Sequence, residues 1–145
     1  MEFGTLEREI YIEAAPEIVF DVVSSPDHLK GWWPDDARYE PVPGSTGEIV
    51  FGDCNAGGKR VAFTVVDVLP PRMFSFRWTQ PAGEVATQGN SLLVTFELTP
   101  SGGGTLLRMT ETGFREVETY RDHVTGWDVF LPRLVAYAAT LRVPS

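Results

Sequence analysis

Glu111 is the residue of this chain best placed to do chemistry. Strand-type alternation through Leu107 and Met109 carries it onto the face of those apolar side chains, so its carboxyl is expected inward or at a rim. A carboxyl buried without a partner is driven toward its neutral form, and can then donate a proton or bind a ligand hydroxyl. The plainer expectation is a strand-end residue, exposed or paired with an arginine such as Arg77 or Arg108. His123 lies four residues before Trp127, so it could carry a proton at the edge of whatever Trp127 lines; most histidines so placed lie on the surface. His28 stands near Trp32 and Trp33, far from His123. Neither histidine has the spacing of a metal site, and the single cysteine, Cys54, has no partner, so no metal is expected.

Other chemistries lack their residues. There is no Gly-x-Ser-x-Gly turn for a serine nucleophile. The glycine-rich piece Asn55 to Lys59 lacks the pattern of a phosphate loop and has no helix behind it, so it reads as a hairpin turn. No catalytic set can be assigned. What remains is aromatic. Phe74, Phe76, Trp78, Phe96, Trp127 and Phe130 fall on inward faces, and Trp32 and Trp33 are expected at the mouth. Such rings can simply fill a core, each burying roughly 150–250 Å². So many around one helix also suits an aromatic-lined pocket, since pockets are mainly apolar with few polar groups.

The elements that must position these residues are legible from periodicity. Val124, Trp127, Leu131, Leu134, Ala138 and Leu141 recur at steps of three and four, which predicts a long closing helix that starts between Val117 and Asp122. Pro132 falls inside it; the apolar spacing continues through the proline, so one bent helix is expected rather than two. Upstream the period is two. Strands are expected over Leu6–Glu13, Glu48–Asp53, Arg60–Val68, Arg72–Thr79, Ser91–Thr99 and Thr105–Thr112. Along Arg72–Thr79, Phe74, Phe76 and Trp78 face inward while Met73, Ser75, Arg77 and Thr79 face outward. Leu92, Val94, Phe96 and Leu98 form the buried face of the next strand. Turns or loops are expected at Gly44–Gly47, Cys54–Lys59, Gln80–Gly89 and Pro100–Gly104.

Between the first strand and the rest, Ala15-Pro16-Glu17 opens a helix whose buried stripe is Ile18, Val19, Val22 and Val23. Ser24-Ser25-Pro26 ends it, and a short helical turn through Asp27-His28-Leu29 leads to the tryptophan pair. The class is α+β, with helices gathered on one face of an antiparallel sheet. A large helix laid in a curved sheet often leaves a cavity, and function is expected there.

Composition excludes several partners. The 145 residues suit one domain with a core of its own. A net charge of −8, with scattered basic residues, argues against nucleic acid and anionic membrane surfaces. No apolar run approaches the roughly 18–20 residues that span a bilayer. The segment from Met1 to Arg8 lacks the features of a secretory signal, and with one cysteine the expected location is cytoplasmic. Edge strands leave the chain a monomer or a weak dimer.

Several pieces in order carry a resemblance: Ala15-Pro16-Glu17-Ile18-Val19-Phe20; Pro26-Asp27-His28-Leu29 with Trp32-Trp33-Pro34; Val68-Leu69-Pro70-Pro71-Arg72 leading to Phe76-Arg77-Trp78; Thr112-Gly113-Phe114; and Gly126-Trp127 followed by Leu131 and Leu134. From Leu6 to Leu141 the chain resembles the homologues of the activator of the heat-shock-protein-90 ATPase. These belong to the START-like (SRPBCC, polyketide cyclase or Bet v 1-like) superfamily. The resemblance implies a helix-grip fold, with about seven antiparallel strands around the C-terminal helix and an apolar cavity between them. It implies no cofactor and no fixed catalytic set. The expected function is binding of a small hydrophobic or aromatic ligand by the aromatic residues named above with Met109, Glu111, Leu131 and Leu134. The alternatives are a cyclase or dehydratase-like enzyme acting on a polyketide, and a chaperone-associated interaction module.

Overall fold

The computed structural model describes residues 5–52, 59–79, 92–114 and 117–141. In chain order the elements are β1 (Leu6–Ile12), α1 (Pro16–Ser24), α2 (Pro26–Leu29), β2 (Asp36–Arg38), β3 (Thr46–Phe51), β4 (Lys59–Leu69), β5 (Met73–Thr79), β6 (Leu92–Ser101), β7 (Gly104–Thr112) and α3 (Val117–Thr140). The strands form one seven-stranded sheet in the order β1-β7-β6-β5-β4-β3-β2, antiparallel throughout. This is the helix-grip α+β fold: the sheet holds α3, and α1 and α2 follow the first strand.

Local chemistry accounts for most boundaries. Pro16 opens α1, where its missing N–H needs no partner, and the helix buries Val19, Phe20, Val22 and Val23. Ser25 is extended ahead of Pro26, which separates α1 from α2. β6 turns into β7 through Gly102 and Gly103 alone, at φ 53° and 89°, the two positive angles that a tight two-residue hairpin requires. The expected turn was longer, because Pro100 and Ser101 still pair with Thr105 and Gly104.

Three further features depart from the sequence reading. β2 has too few residues to show a period and was not anticipated; pairing with β3 and the Asp36 carboxylate, which accepts from the Ala37 N–H at 2.9 Å, hold it. Ser75 lies on the outer face as expected but is buried, because a bulge between Val65 and Asp67 brings the Asp67 N–H to its hydroxyl at 3.2 Å. β1 stops at Ile12, one residue short of Glu13. The expected loops over Cys54 to Gly58 and Gln80 to Gly89 lie outside the described residues.

α3 is one helix that begins at Val117 and passes through Pro132. Trp127, Leu131, Leu134 and Ala138 are buried along it, and Val124 and Leu141 are half-buried, as the spacing predicted. Arg8 of β1 donates to Asp128 at 2.9 Å, a partly exposed ion pair worth at most about 1 kcal/mol. Apolar burial therefore does most of the holding. Among the described residues, no helix is long and apolar enough to cross a membrane.

Near the start of the grip, Tyr39 stacks on Phe63 at 4.4 Å between centroids and donates to the Ser24 carbonyl at 2.7 Å. Burial raises its hydroxyl well above the usual tyrosine range. The contribution to stability is therefore full below the unfolded value, about 10, and declines as pH rises beyond it, where only the unfolded chain releases the proton. Tyr39→Phe should cost about 1 kcal/mol at pH 7. Chemical denaturation between pH 9 and 11 should show a shallower loss of stability in the variant than in the wild type; parallel curves would contradict this.

Candidate functional site

Glu111 sits on the inner face of β7, opposite Leu6 of β1 and Val94 of β6, and is fully buried. Three donors converge on it. Oε1 accepts from His123 Nδ1 at 2.7 Å and from Trp127 Nε1 at 2.9 Å. Oε2 accepts from Trp78 Nε1 at 2.8 Å. Indole N–H groups only donate, so both carboxyl oxygens act as acceptors, and the arrangement assigns the Nδ1 proton to His123. The second ring nitrogen of His123, Nε2, has no hydrogen-bond partner among the described residues.

The donors come from three places in the chain. Trp78 reaches over β6 from β5, while His123 and Trp127, one helical turn apart, come down from α3. The carboxylate thus ties the helix to the sheet at one end of the grip. The plainer expectation for Glu111, exposure or an arginine partner, is corrected: Arg108 points away to Glu9 at 3.7 Å, and Arg77 alternates to the outer face. The expectation of a surface His123 is corrected too, since its side chain is only 19% exposed and lies between Trp78 and Phe114, with ring centroids at 5.1 and 5.3 Å.

Beside the carboxylate, Trp33 is the hub of an aromatic cluster. Its ring lies 5.0 Å from Trp78, 5.1 Å from Trp127, 5.6 Å from Phe76 and 5.8 Å from Phe51. Phe96 joins through Phe76 and Trp127, at 6.1 and 6.2 Å. Trp32 stacks on Trp33 and donates to the Val22 carbonyl at 3.0 Å. Expected at a mouth, the tryptophan pair is instead in the core, at 3% and 6% exposure. The pair sits on the irregular connection between α2 and β2, where periodicity gives no direction.

Other predicted residues fall around this cluster. Met109, Leu131 and Leu134 are buried in the core. Phe74 is buried farther along β5 and meets Phe20 of α1 edge-on at 6.5 Å. Phe130 is half-buried at the margin, 6.5 Å from Phe51, with the Arg133 guanidinium over its ring at 5.4 Å. Phe51 was missed, although its place two residues after Ile49 on a strand gives it the same inner face. His28 meets the Tyr137 hydroxyl at 2.9 Å, and a methyl group at the neighbouring Gly31 would strike the Tyr137 ring.

The described rings around Trp127 touch one another. An open pocket of about 480 Å³ lies at the other end of the sheet, bounded by the start of α1, by Pro71 and Arg72, and by Leu98 to Pro100 of β6. Among the described residues, no group of three His, Cys, Asp or Glu side chains gathers as metal ligands would. Cys54 is outside those residues.

Comparison with known proteins follows the fold. The family described as Activator of Hsp90 ATPase homolog 1-like protein matches residues 13–139. The protein MLL2253 from Mesorhizobium loti is similar in structure, with a TM-score of 0.79 at 24% identity over 97% of this chain and 100% of its own. The Aha1 dimer from Colwellia psychrerythraea gives a TM-score of 0.71 at 26% identity, covering 92% and 94%. CalU16 from Micromonospora echinospora gives 0.70 at 18% identity, covering 92% and 75%. No curated protein matches the chain significantly. With the match running from Glu13 to Ala139 and the helix-grip topology in place, the chain belongs to the Activator of Hsp90 ATPase homologue 1-like family of the START-like superfamily.

Proposed function

We propose that the protein binds a small planar hydrophobic or aromatic molecule between the sheet and α3, beside Glu111. One observation carries this reading: a fully buried carboxylate whose three donors are all aromatic or imidazole side chains, set against a wall of further rings. Aliphatic side chains fill a core without any such polar group. A carboxylate kept deep inside, two of whose donors, Trp78 and Trp127, flank the Trp33 ring, suits a site for an aromatic guest with one polar end.

Trp33 supplies the room. Its main-chain N–H donates to the Leu29 carbonyl at 3.0 Å, but among the described residues its indole N–H has no hydrogen-bond partner, unlike those of Trp32, Trp78 and Trp127. It also lies on a connecting segment rather than on a strand or helix. A guest that displaces this ring inherits a berth between Trp78 and Trp127.

A thermal-shift panel of planar aromatics, fatty acids and flavonoid-type compounds tests the reading. A compound that binds only the native state adds about 2.7 kcal/mol at a hundredfold excess over its Kd, a rise of several degrees in Tm. A panel in which nothing shifts Tm removes the proposal. A second reading, contact with a heat-shock-protein-90-type chaperone, rests on the family match. Acceleration of the chaperone ATPase by the protein, with no ligand shift in the same panel, would favour it.

A further inference from the structure

We infer that the Glu111–His123 pair is the proton-accepting end of the ligand site and selects guests that carry a weakly acidic hydroxyl, such as a phenol, on the apolar ring system. The inference rests on the ligand reading above and adds the chemistry of its polar end.

With Nδ1 donating to Glu111 Oε1 at 2.7 Å, an imidazole that carries a single proton presents a lone pair at Nε2. That nitrogen has no partner among the described residues, and the His123 side chain keeps 19% exposure, the opening by which the proposed guest reaches it. The ring packs tilted against Trp78 and perpendicular to Phe114, contacts that restrict its rotation about the Glu111 bond. Each Glu111 oxygen already accepts from at least one of its three donors and the side chain is fully buried, whereas His123 keeps some exposure. Glu111 is therefore a positioning residue, and His123 is the contact.

Among the described residues no other charged group is bonded to the imidazole. Arg121 and Asp122, beside it on α3, are exposed, and Tyr120 packs edge-on against Phe114. A hydroxyl that reaches Nε2 donates a hydrogen bond. If transfer is complete, its O–H bond breaks, an Nε2–H bond forms and the electron pair stays on the phenolate oxygen. The imidazolium then faces Glu111, its charge balanced by a carboxylate already in place. No other reactant is needed.

The probes are 2-naphthol and 2-methylnaphthalene, of nearly the same shape and differing in the hydroxyl. Isothermal titration of the wild-type protein should give at least a tenfold tighter Kd for 2-naphthol. In His123→Phe the two Kd values should become equal. The chain has two histidines, so nitrogen-15 spectra separate them easily. Saturating 2-naphthol should move the Nε2 resonance of His123 and leave His28 in place, a readout that does not depend on whether the variant folds. Binding of both probes with equal affinity in the wild type, or an unmoved His123 resonance, overturns the inference and leaves the ligand reading intact. Binding of neither probe overturns the inference, and a silent broad panel removes the ligand reading with it.

Discussion

Glu111→Ala is expected to cost the fold about 3–5 kcal/mol, measured by urea denaturation at pH 7, from a total that for domains of this kind is about 5–15 kcal/mol. The reasoning is one of orphaned donors. The substitution removes the acceptor for Trp78 Nε1, Trp127 Nε1 and His123 Nδ1 together. An unsatisfied buried donor costs about 1–3 kcal/mol. Trp127 is buried and cannot rehydrate in place, whereas Trp78 and His123 are half-buried and recover part of the loss through water. Glu111→Gln keeps the shape and one carbonyl acceptor but turns the other oxygen into a donor that faces an N–H, so a smaller cost of about 2 kcal/mol is expected. Trp127→Phe in both backgrounds isolates one bond: its cost should be smaller when Glu111 is already alanine, with a coupling of about 1 kcal/mol or more. A Glu111→Ala variant within about 1 kcal/mol of the wild type would show that the carboxylate does not tie α3 to the sheet.

That prediction turns on a contact the sequence could reach only halfway. The face of Glu111 was legible, because the period-two alternation from Leu107 through Met109 is regular and local. Its partners were not. They stand 33, 12 and 16 residues away on other elements, and no local pattern says which side chain crosses a strand. His123 was the closest to legible, since its four-residue spacing from Trp127 puts both on one helical face. The fold was readable for the same reason that the site was not. The stripe of α3 and the alternation of β5, β6 and β7 are repeated signals within single elements, and the turn at Gly102–Gly103 carries its own chemistry. β2, with three residues, repeats nothing. The Trp32–Trp33 pair lies where no period exists, so its depth in the core could come only from the tertiary structure.

Trp33→Ala is the second large effect, and it separates a cover from a wall. Removing a core tryptophan side chain typically costs about 3–5 kcal/mol, and Trp33 touches five other rings. The loss is one of packing, because the indole N–H has no partner among the described residues to leave orphaned. The binding consequence runs the other way. If a guest must displace Trp33, the wild-type affinity is reduced by the small fraction of molecules in which that ring has already moved. Trp33→Ala removes this penalty, so 2-methylnaphthalene should bind the variant about tenfold tighter or more and restore much of its lost Tm. A ring that forms part of the site wall gives the opposite result: deleting it removes contacts with the guest, and affinity falls. The direction of the change in Kd therefore decides between the two roles even though the stability change is the same in both. Weaker binding by a folded Trp33→Ala variant would mean that the guest rests against Trp33 instead of replacing it.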